Sequence, residues 1–255
     1  MAAKMHLIRN HTSLILFAFC ANAMLFAQDP VLLFEEANRI YAQGDYQSAV
    51  DLYLKIIEQG VESGEVYFNL GNAYYKLDQI GFSILYYEKA KKYIEGDPAL
   101  EQNLALARLK IVDKIDSIPK IFIEEWWYEV LHFTSINTML WISFSLFTLS
   151  VLLLIIQILY NRPIFRRVMW ILISIFLIIA LLSVSRIYEF ETSEFGVILE
   201  EKVSVFSEPG LGGTEVFILH EGTKVSINRG LDDWYEISIP DGKTGWLRSN
   251  TLETI

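Results

Sequence analysis

A single cysteine, Cys20, leaves no internal disulfide framework and no cysteine metal site to be written for this chain. Histidine is scarce as well. Of the four, His6 and His11 fall in the first dozen residues, while His132 and His220 stand far apart with no ligand-type neighbour, so His220 reads as a turn residue. The glycine cluster Gly210-Leu-Gly-Gly213 has neither a helix start nor a lysine after it, which makes it a hairpin tip rather than a phosphate loop. Together these absences predict a protein that is not an enzyme and holds no catalytic residue, cofactor or metal. Positive charge is short too. With 21 Lys and Arg against 31 Asp and Glu, the net charge is -10, and no basic cluster is large enough to favour nucleic acid.

What the chain has in quantity is apolar sequence: 53% of its 255 residues are hydrophobic, which points to membrane segments rather than one ordinary core. Residues 1–27 have the layout of an export signal. Lys4 and Arg9 precede an uncharged run from Leu14 to Phe26, and small residues offer cleavage after Ala23 or, preferably, after Ala27, where Gln28-Asp29-Pro30 opens a polar start. A retained anchor is the alternative. Lipid attachment at Cys20 is disfavoured by the bulky Phe17-Ala-Phe19 before it.

From 30 to 118 the sequence repeats. Asn38 and Tyr41 recur 34 residues later as Asn72 and Tyr75, Tyr53 as Tyr87, Lys55 as Lys89, and Asn69-Leu70 as Asn103-Leu104. A shared offset at that many positions is what stacked helix pairs produce, since each must present the same face to its neighbour. Small residues, Ala37, Gly71 and Ala105 in first helices and Ala49 and Ser83 in second ones, fall where paired helices must cross closely. The turns are written Gln43-Gly-Asp45 and Leu77-Asp-Gln79, and Asp97-Pro98 opens a third first helix.

These residues resemble the tetratricopeptide-repeat family, with units at about 30–63 and 64–97. The resemblance implies a concave surface that binds protein, lined by Asn38, Tyr41, Asn69, Asn72, Tyr75 and Asn103. The family's peptide clamp surrounds asparagines matching Asn38 and Asn69 with cations. Here the accompanying sites are Phe34, Ala99 and Asn103, so a free C-terminal carboxylate is not the expected ligand. The alternative is that the asparagines are repeat consensus without a ligand.

Residues 119–137 crowd Trp126, Trp127, Tyr128 and Phe133 with Glu124, Glu125 and Glu129, a composition suited to a membrane surface. A helix packed on the repeats is the alternative. Residues 138–160 and 168–185 are uncharged runs able to cross a hydrocarbon core of ~30 Å, the second with Arg186 snorkelling at its end. Gln157 is the strongly polar side chain of the first, and neither run has an ionisable group at mid-depth, which predicts an anchor rather than a transport path. Between them, residues 161–167 read as a loop with Arg162, Arg166 and Arg167. Acids at Glu124, Glu125, Glu129, Glu189, Glu191 and Glu194 flank the hairpin outside. The charge rule puts the arginines in the cytoplasm and both large domains in the periplasm, anchored in the inner membrane.

Residues 195–255 change to short β-type runs, Val197–Leu199, Lys202–Phe206, Glu215–Leu219, Lys224–Asn228, Trp234–Ser238 and Lys243–Leu247, parted by turn residues. Five or six strands suggest a small barrel. The stretches LHEGTKV, DWY and GKTGW resemble the bacterial SH3-like domain, in which Trp234, Tyr235 and Trp246 would be core or groove aromatics. The expected fold is therefore a multidomain membrane protein: an all-α tetratricopeptide-repeat solenoid, a transmembrane helical hairpin and an all-β SH3-like barrel. That order, with the tryptophan pair before the spans, resembles the BatE-like family of aerotolerance-operon proteins. The resemblance implies an envelope complex with von Willebrand A-domain Bat proteins and a MoxR-type ATPase. The expected role is a membrane scaffold for partner proteins, the alternative a peptidoglycan-binding module acting through the SH3-like domain.

Overall fold

The computed structural model describes residues 29–116, 118–119, 121–210 and 212–255. The expected export signal, with Cys20, Ala23, Ala27, His6 and His11, lies outside the described residues, as does the Glu191 side chain.

Five helices come first: α1 (Pro30–Ala42), α2 (Tyr46–Glu58), α3 (Gly64–Lys76), α4 (Ile80–Lys91) and α5 (Pro98–Arg108). Each start has a local cause. Asp29 caps α1 by accepting from Val31 N at 2.9 Å, Asp45 caps α2 through Ser48 N at 3.2 Å, and Asp97 caps α5 through Ala99 N and Leu100 N, both at 2.9 Å. Pro30 and Pro98 occupy first helical positions, where a missing N–H costs nothing. The turns within the two pairs need a left-handed residue at the same register, supplied by Gly44 (φ 87°) in one and Asp78 (φ 61°) in the other. At the crossing of α3 and α4, a Cβ on Gly71 would stand 2.6 Å from the ring of buried Tyr87, so only glycine lets that ring lie against the helix. Ala37, Ala49 and Ser83 are buried as expected. Ala105 is exposed instead, because no second helix follows α5 to cross it.

The repeat region was expected to run to residue 118, but its helices end at Arg108, and residues 109–119 form a strap. Ile111 packs against the core of α4 and α5, Ile115 against the core of the C-terminal sheet, and Ile118 N donates to Pro240 O at 3.1 Å. The strap thus joins two units that the sequence separates by the membrane hairpin.

Helix α6 (Phe122–Leu131) buries Leu131 and leaves Phe122, Trp126 and Trp127 exposed, with Phe133 exposed just after it, rather than packed on the repeats. Helices α7 (Ile136–Tyr160) and α8 (Pro163–Thr192) lie side by side, and both are long and apolar enough to cross a membrane. Helix α7 starts two residues before its expected span and ends with it at Tyr160, whereas α8 exceeds its span at both ends. The expected loop of residues 161–167 shrinks to Asn161, left-handed at φ 44°, and Arg162. Pro163, pre-set for a first turn, starts α8 at once and carries Arg166 and Arg167 into the helix. Exposed Trp141 and Tyr188 mark one end of the hairpin, and Tyr160 and Trp170 the other. From Trp141 to Tyr160 at 1.5 Å per residue is about 29 Å, which matches a hydrocarbon core. Between the helices lie Met139, Ser143, Ser150, Met169 and Ser183, small or flexible residues that permit close approach. Arg186 does not snorkel. Because α8 continues past it to Thr192, its buried guanidinium meets the Glu95 carboxylate in the turn between α4 and α5, and donates to Leu131 O at 3.3 Å.

The C-terminal unit has seven strands: β1 (Glu194–Ile198), β2 (Lys202–Phe206), β3 (Glu215–His220), β4 (Lys224–Leu231), β5 (Trp234–Ser238), β6 (Thr244–Arg248) and β7 (Leu252–Thr254), with a 3-10 turn at Ser249–Thr251. All neighbours are antiparallel, in the order β3-β2-β6-β5-β4-β1-β7. Inward residues from every strand, among them Ile198, Val203, Val205, Leu219, Val225, Ile237, Leu247 and Leu252, meet in one core, so the sheet curls around it. Strand β7 is one more than expected. Its three residues are too few to show a period, and pairing with β1 creates it.

Candidate functional site

The six repeat residues expected to line a binding face all lie part-buried on the first helices, Asn38 and Tyr41 on α1, Asn69, Asn72 and Tyr75 on α3, and Asn103 on α5. The 34-residue register makes their bonds repeat. Tyr53 Oη donates to Asn38 Oδ1 at 2.6 Å and Asn69 Nδ2 donates to the same oxygen at 2.9 Å; one unit on, Tyr87 Oη donates to Asn72 Oδ1 at 2.7 Å and Asn103 Nδ2 joins at 2.8 Å. Burial, with the nearby Tyr41, pushes the Tyr53 hydroxyl up to about 12, so it stays a donor at any physiological pH. Asn38 and Asn72 have therefore committed their carbonyls inward. Among the described residues, their amide nitrogens and the carbonyls of Asn69 and Asn103 make no such internal bond and keep unused hydrogen-bonding capacity. The face was expected to lack cations, yet Lys110 from the strap stands 4.6 Å from the Tyr75 ring centre while pairing with Asp78 at 2.6 Å. A strap residue outside the repeat period gave no sign of this.

On the sheet, alternation separates Tyr235 from the two tryptophans: Tyr235 is part-buried and packs against the sheet core. Trp246 is buried on the outer face beneath Arg229, whose guanidinium lies 5.1 Å from its ring. Trp234 meets Phe206 edge-on at 5.9 Å and is covered by Arg248 at 5.1 Å.

Charged residues gather most densely where sheet and helices meet. The buried Glu88 of α4 accepts from Arg108 of α5 and, at 2.8 Å, from Lys224 of β4. Burial pushes its carboxyl up, but the two cations together hold it below the ordinary range. Asp113 of the strap accepts from His220 N at 2.6 Å, His220 Nδ1 at 2.8 Å and Thr223 Oγ1 at 2.8 Å. Burial raises this carboxyl as well, and those three bonds outweigh it and keep the group low. His220 is therefore no free turn residue: facing an ionised carboxylate, its Nδ1 carries the proton. Glu221 Oε1 caps α4 by accepting from Gly81 N at 2.7 Å, and Lys92 Nζ reaches Ile255 O at 2.8 Å. The arrangement fastens two units together. Among the described residues, no group of three His, Cys, Asp or Glu could hold a metal ion.

No family model matches the chain, and no curated protein matches it. Among solved structures, it is similar to the first TPR of Spaghetti (RPAP3) bound to the HSP90 peptide SRMEEVD, with 22% identity and a TM-score of 0.31. That match covers 32% of this chain and 66% of the other, just under two thirds of its length.

Asp113, Glu88 and Glu221 gave no sign in the sequence because their partners across the seam lie 107 to 140 residues away. The one available signal was the strap's Ile111-x3-Ile115 spacing around an acid, which periodicity alone cannot tell from a linker.

Proposed function

We propose that this chain is a non-enzymatic, membrane-anchored scaffold that binds partner proteins along the asparagine-lined face of α1, α3 and α5. The observation that carries the proposal is the repeated amide ladder, which orients Asn69 and Asn103 identically one unit apart and leaves each with an acceptor and a donor for an extended backbone. Two apolar helices with aromatic residues at both ends support the anchor. The seam supports placing both globular units on one side of the bilayer, since they touch. Arg162, Arg166 and Arg167 at the opposite end support reading that side as the periplasm and the membrane as the inner one. Within this reading the setting is a Bat-type envelope complex linked to aerotolerance or stress, with von Willebrand A-domain Bat proteins and a MoxR-type ATPase as partners, and the sheet unit is SH3-like.

The test is co-purification of those partners with the full chain in mild detergent. Asn69→Ala combined with Tyr41→Ala and Tyr75→Ala should reduce capture about tenfold or more, the range of interface hot spots, with circular dichroism unchanged. Undiminished capture by a folded variant would overturn the groove. A second reading, peptidoglycan binding by the sheet unit, is favoured by Arg248 over Trp234, a cation on an aromatic platform suited to a peptide carboxylate. Sedimentation with purified peptidoglycan, lost on Arg248→Ala, would support it.

A further inference from the structure

A repeat at the end of a solenoid exposes the face with which inner repeats stack. Here one end is closed, because Val197, Leu199 and Ile255 of the sheet unit pack on the core of α4 and α5. The other end is the outer face of α1 and α2. It can be compared residue by residue with the next unit, since α3 and α4 start 34 residues after α1 and α2. In the second unit, the matching positions are Val66, Leu70, Tyr74, Phe82, Leu85 and Tyr86, all apolar or aromatic, with Leu85 belonging to the core of α4 and α5. Val66, Leu70 and Tyr74 join the α1/α2 core, with Phe82 and Tyr86 packed against it, and Tyr74 stacks on both rings at 5.1 and 5.5 Å. In the first unit the same positions are Leu32, Glu36, Ile40, Ser48, Asp51 and Leu52, and they line an open trough of about 690 Å³ with Asp29 at its edge.

We propose that this trough docks an amphipathic helix of a partner protein, laid where a preceding repeat would stack and carrying Lys or Arg on either side of its apolar stripe. The floor is apolar and open: Leu32 is 63% exposed, and Ile40 and Leu52 are half-buried. A face meant only for water would not keep three aliphatic residues at stacking positions. Its polar replacements carry one sign, Glu36 and Asp51, with Asp29 beside them. Counting their caps, α1 and α2 hold six acids, Asp29, Glu35, Glu36, Asp45, Asp51 and Glu58, against Arg39 and Lys55; Arg39 and Glu36 pair at 2.5 Å and offset each other, which leaves Asp29 and Asp51 as the trough acids outside an ion pair among the described residues. That charge selects a basic occupant, and it disfavours a second copy of the chain, which would set the same acids face to face. The thirteen residues of α1 give a trough about 20 Å long, room for three to four turns. Asn38 and Ile40 are two residues apart on α1, hence on nearly opposite sides of it, so this site does not compete with the asparagine face.

The test uses the full chain in neutral detergent and a labelled Leu/Lys amphipathic peptide of about four turns, beside a twin with Glu for Lys, read by fluorescence anisotropy. The Leu/Lys peptide should bind and its twin should not. Leu52→Glu should weaken binding about tenfold or more, and Asp51→Lys, an exposed change that spares the fold, should weaken the Leu/Lys peptide and admit the Glu twin. Asn69→Ala should change nothing, which separates this site from the repeat groove. Equal binding of the twins, indifference to Asp51→Lys, or no binding of the Leu/Lys peptide overturns the proposal. So does a dimer in analytical ultracentrifugation that Leu52→Glu disperses, since the trough would then belong to a second copy.

Discussion

Glu88 and Asp113 hold the helices to the sheet through Arg108, Lys224, His220 and Thr223, whereas α7 meets α8 through Met139, Ser143, Ser150, Met169 and Ser183 without a single charge. Both are long-range contacts, and the solvent explains the difference. In water, apolar area alone would hold sheet and helices together without fixing their angle, and directional bonds from buried carboxylates fix it. Under the proposed membrane anchoring the surroundings of α7 and α8 are lipid, as apolar as the helices, and close packing of small residues does the work. The hydroxyls of Ser150 and Ser183 turn back to Leu146 O at 2.7 Å and Ile179 O at 2.8 Å in their own helices. Specificity is concentrated in few atoms at the seam and spread over many in the hairpin.

That contrast predicts unequal mutational costs. Glu88→Ala strands two cations beside a buried site, and should cost the full chain about 2–3 kcal/mol in urea unfolding, at or just below the bottom of the buried-pair range because Arg108 and Lys224 are partly exposed. A loss below about 1 kcal/mol would mean that the seam is held by Val197 and Ile255 packing instead. Asp113→Ala leaves His220 N and Thr223 Oγ1 without their acceptor and should cost about 1–3 kcal/mol. Because the Asp113 carboxyl is lowered on folding, its contribution is present above the ordinary carboxylate value of about 3.9 and is lost as pH falls through the folded value. Glu88 acts in the same direction. Proteolysis between the units should therefore rise below about pH 4, and Asp113→Asn should flatten that profile; an identical profile would assign the acid response elsewhere. The smallest effect belongs to the hairpin. Ser150→Ala removes only a bond to its own helix and should shift stability by less than about 0.5 kcal/mol, and a larger loss would reveal a polar contact across the hairpin.

The helical unit was legible in the sequence because its information is local and recurs. Each of α3 and α5 starts 34 residues after its predecessor, and the amide ladder joins positions that the same offset marks. The two apolar helices were legible from run length, though not their ends, which proline and packing decide at Pro163 and Arg186. What stayed hidden is the tertiary wiring. Asp113 sits in an unperiodic strap, His220 at a turn, and nothing near either residue names the other across 107 positions. The inward bonding of Asn38 and Asn72 was hidden for a related reason: an asparagine at a repeat position is written the same way whether it holds the fold or awaits a ligand.

The strap has a further consequence for how the molecule is made. Glu88 and Asp113 leave the ribosome more than a hundred residues before Lys224 and His220, and both apolar helices lie between. For that interval the helical unit carries a desolvated acid without its β4 cation and a strap with no sheet to cover. Under the proposed membrane anchoring, the seam can close only after α7 and α8 have entered the bilayer and returned the chain to the side on which it began. Contact between the two units is thus a built-in record of completed insertion: a chain stalled after one span would present an open strap, and to a quality-control protease that strap is an extended, uncovered segment.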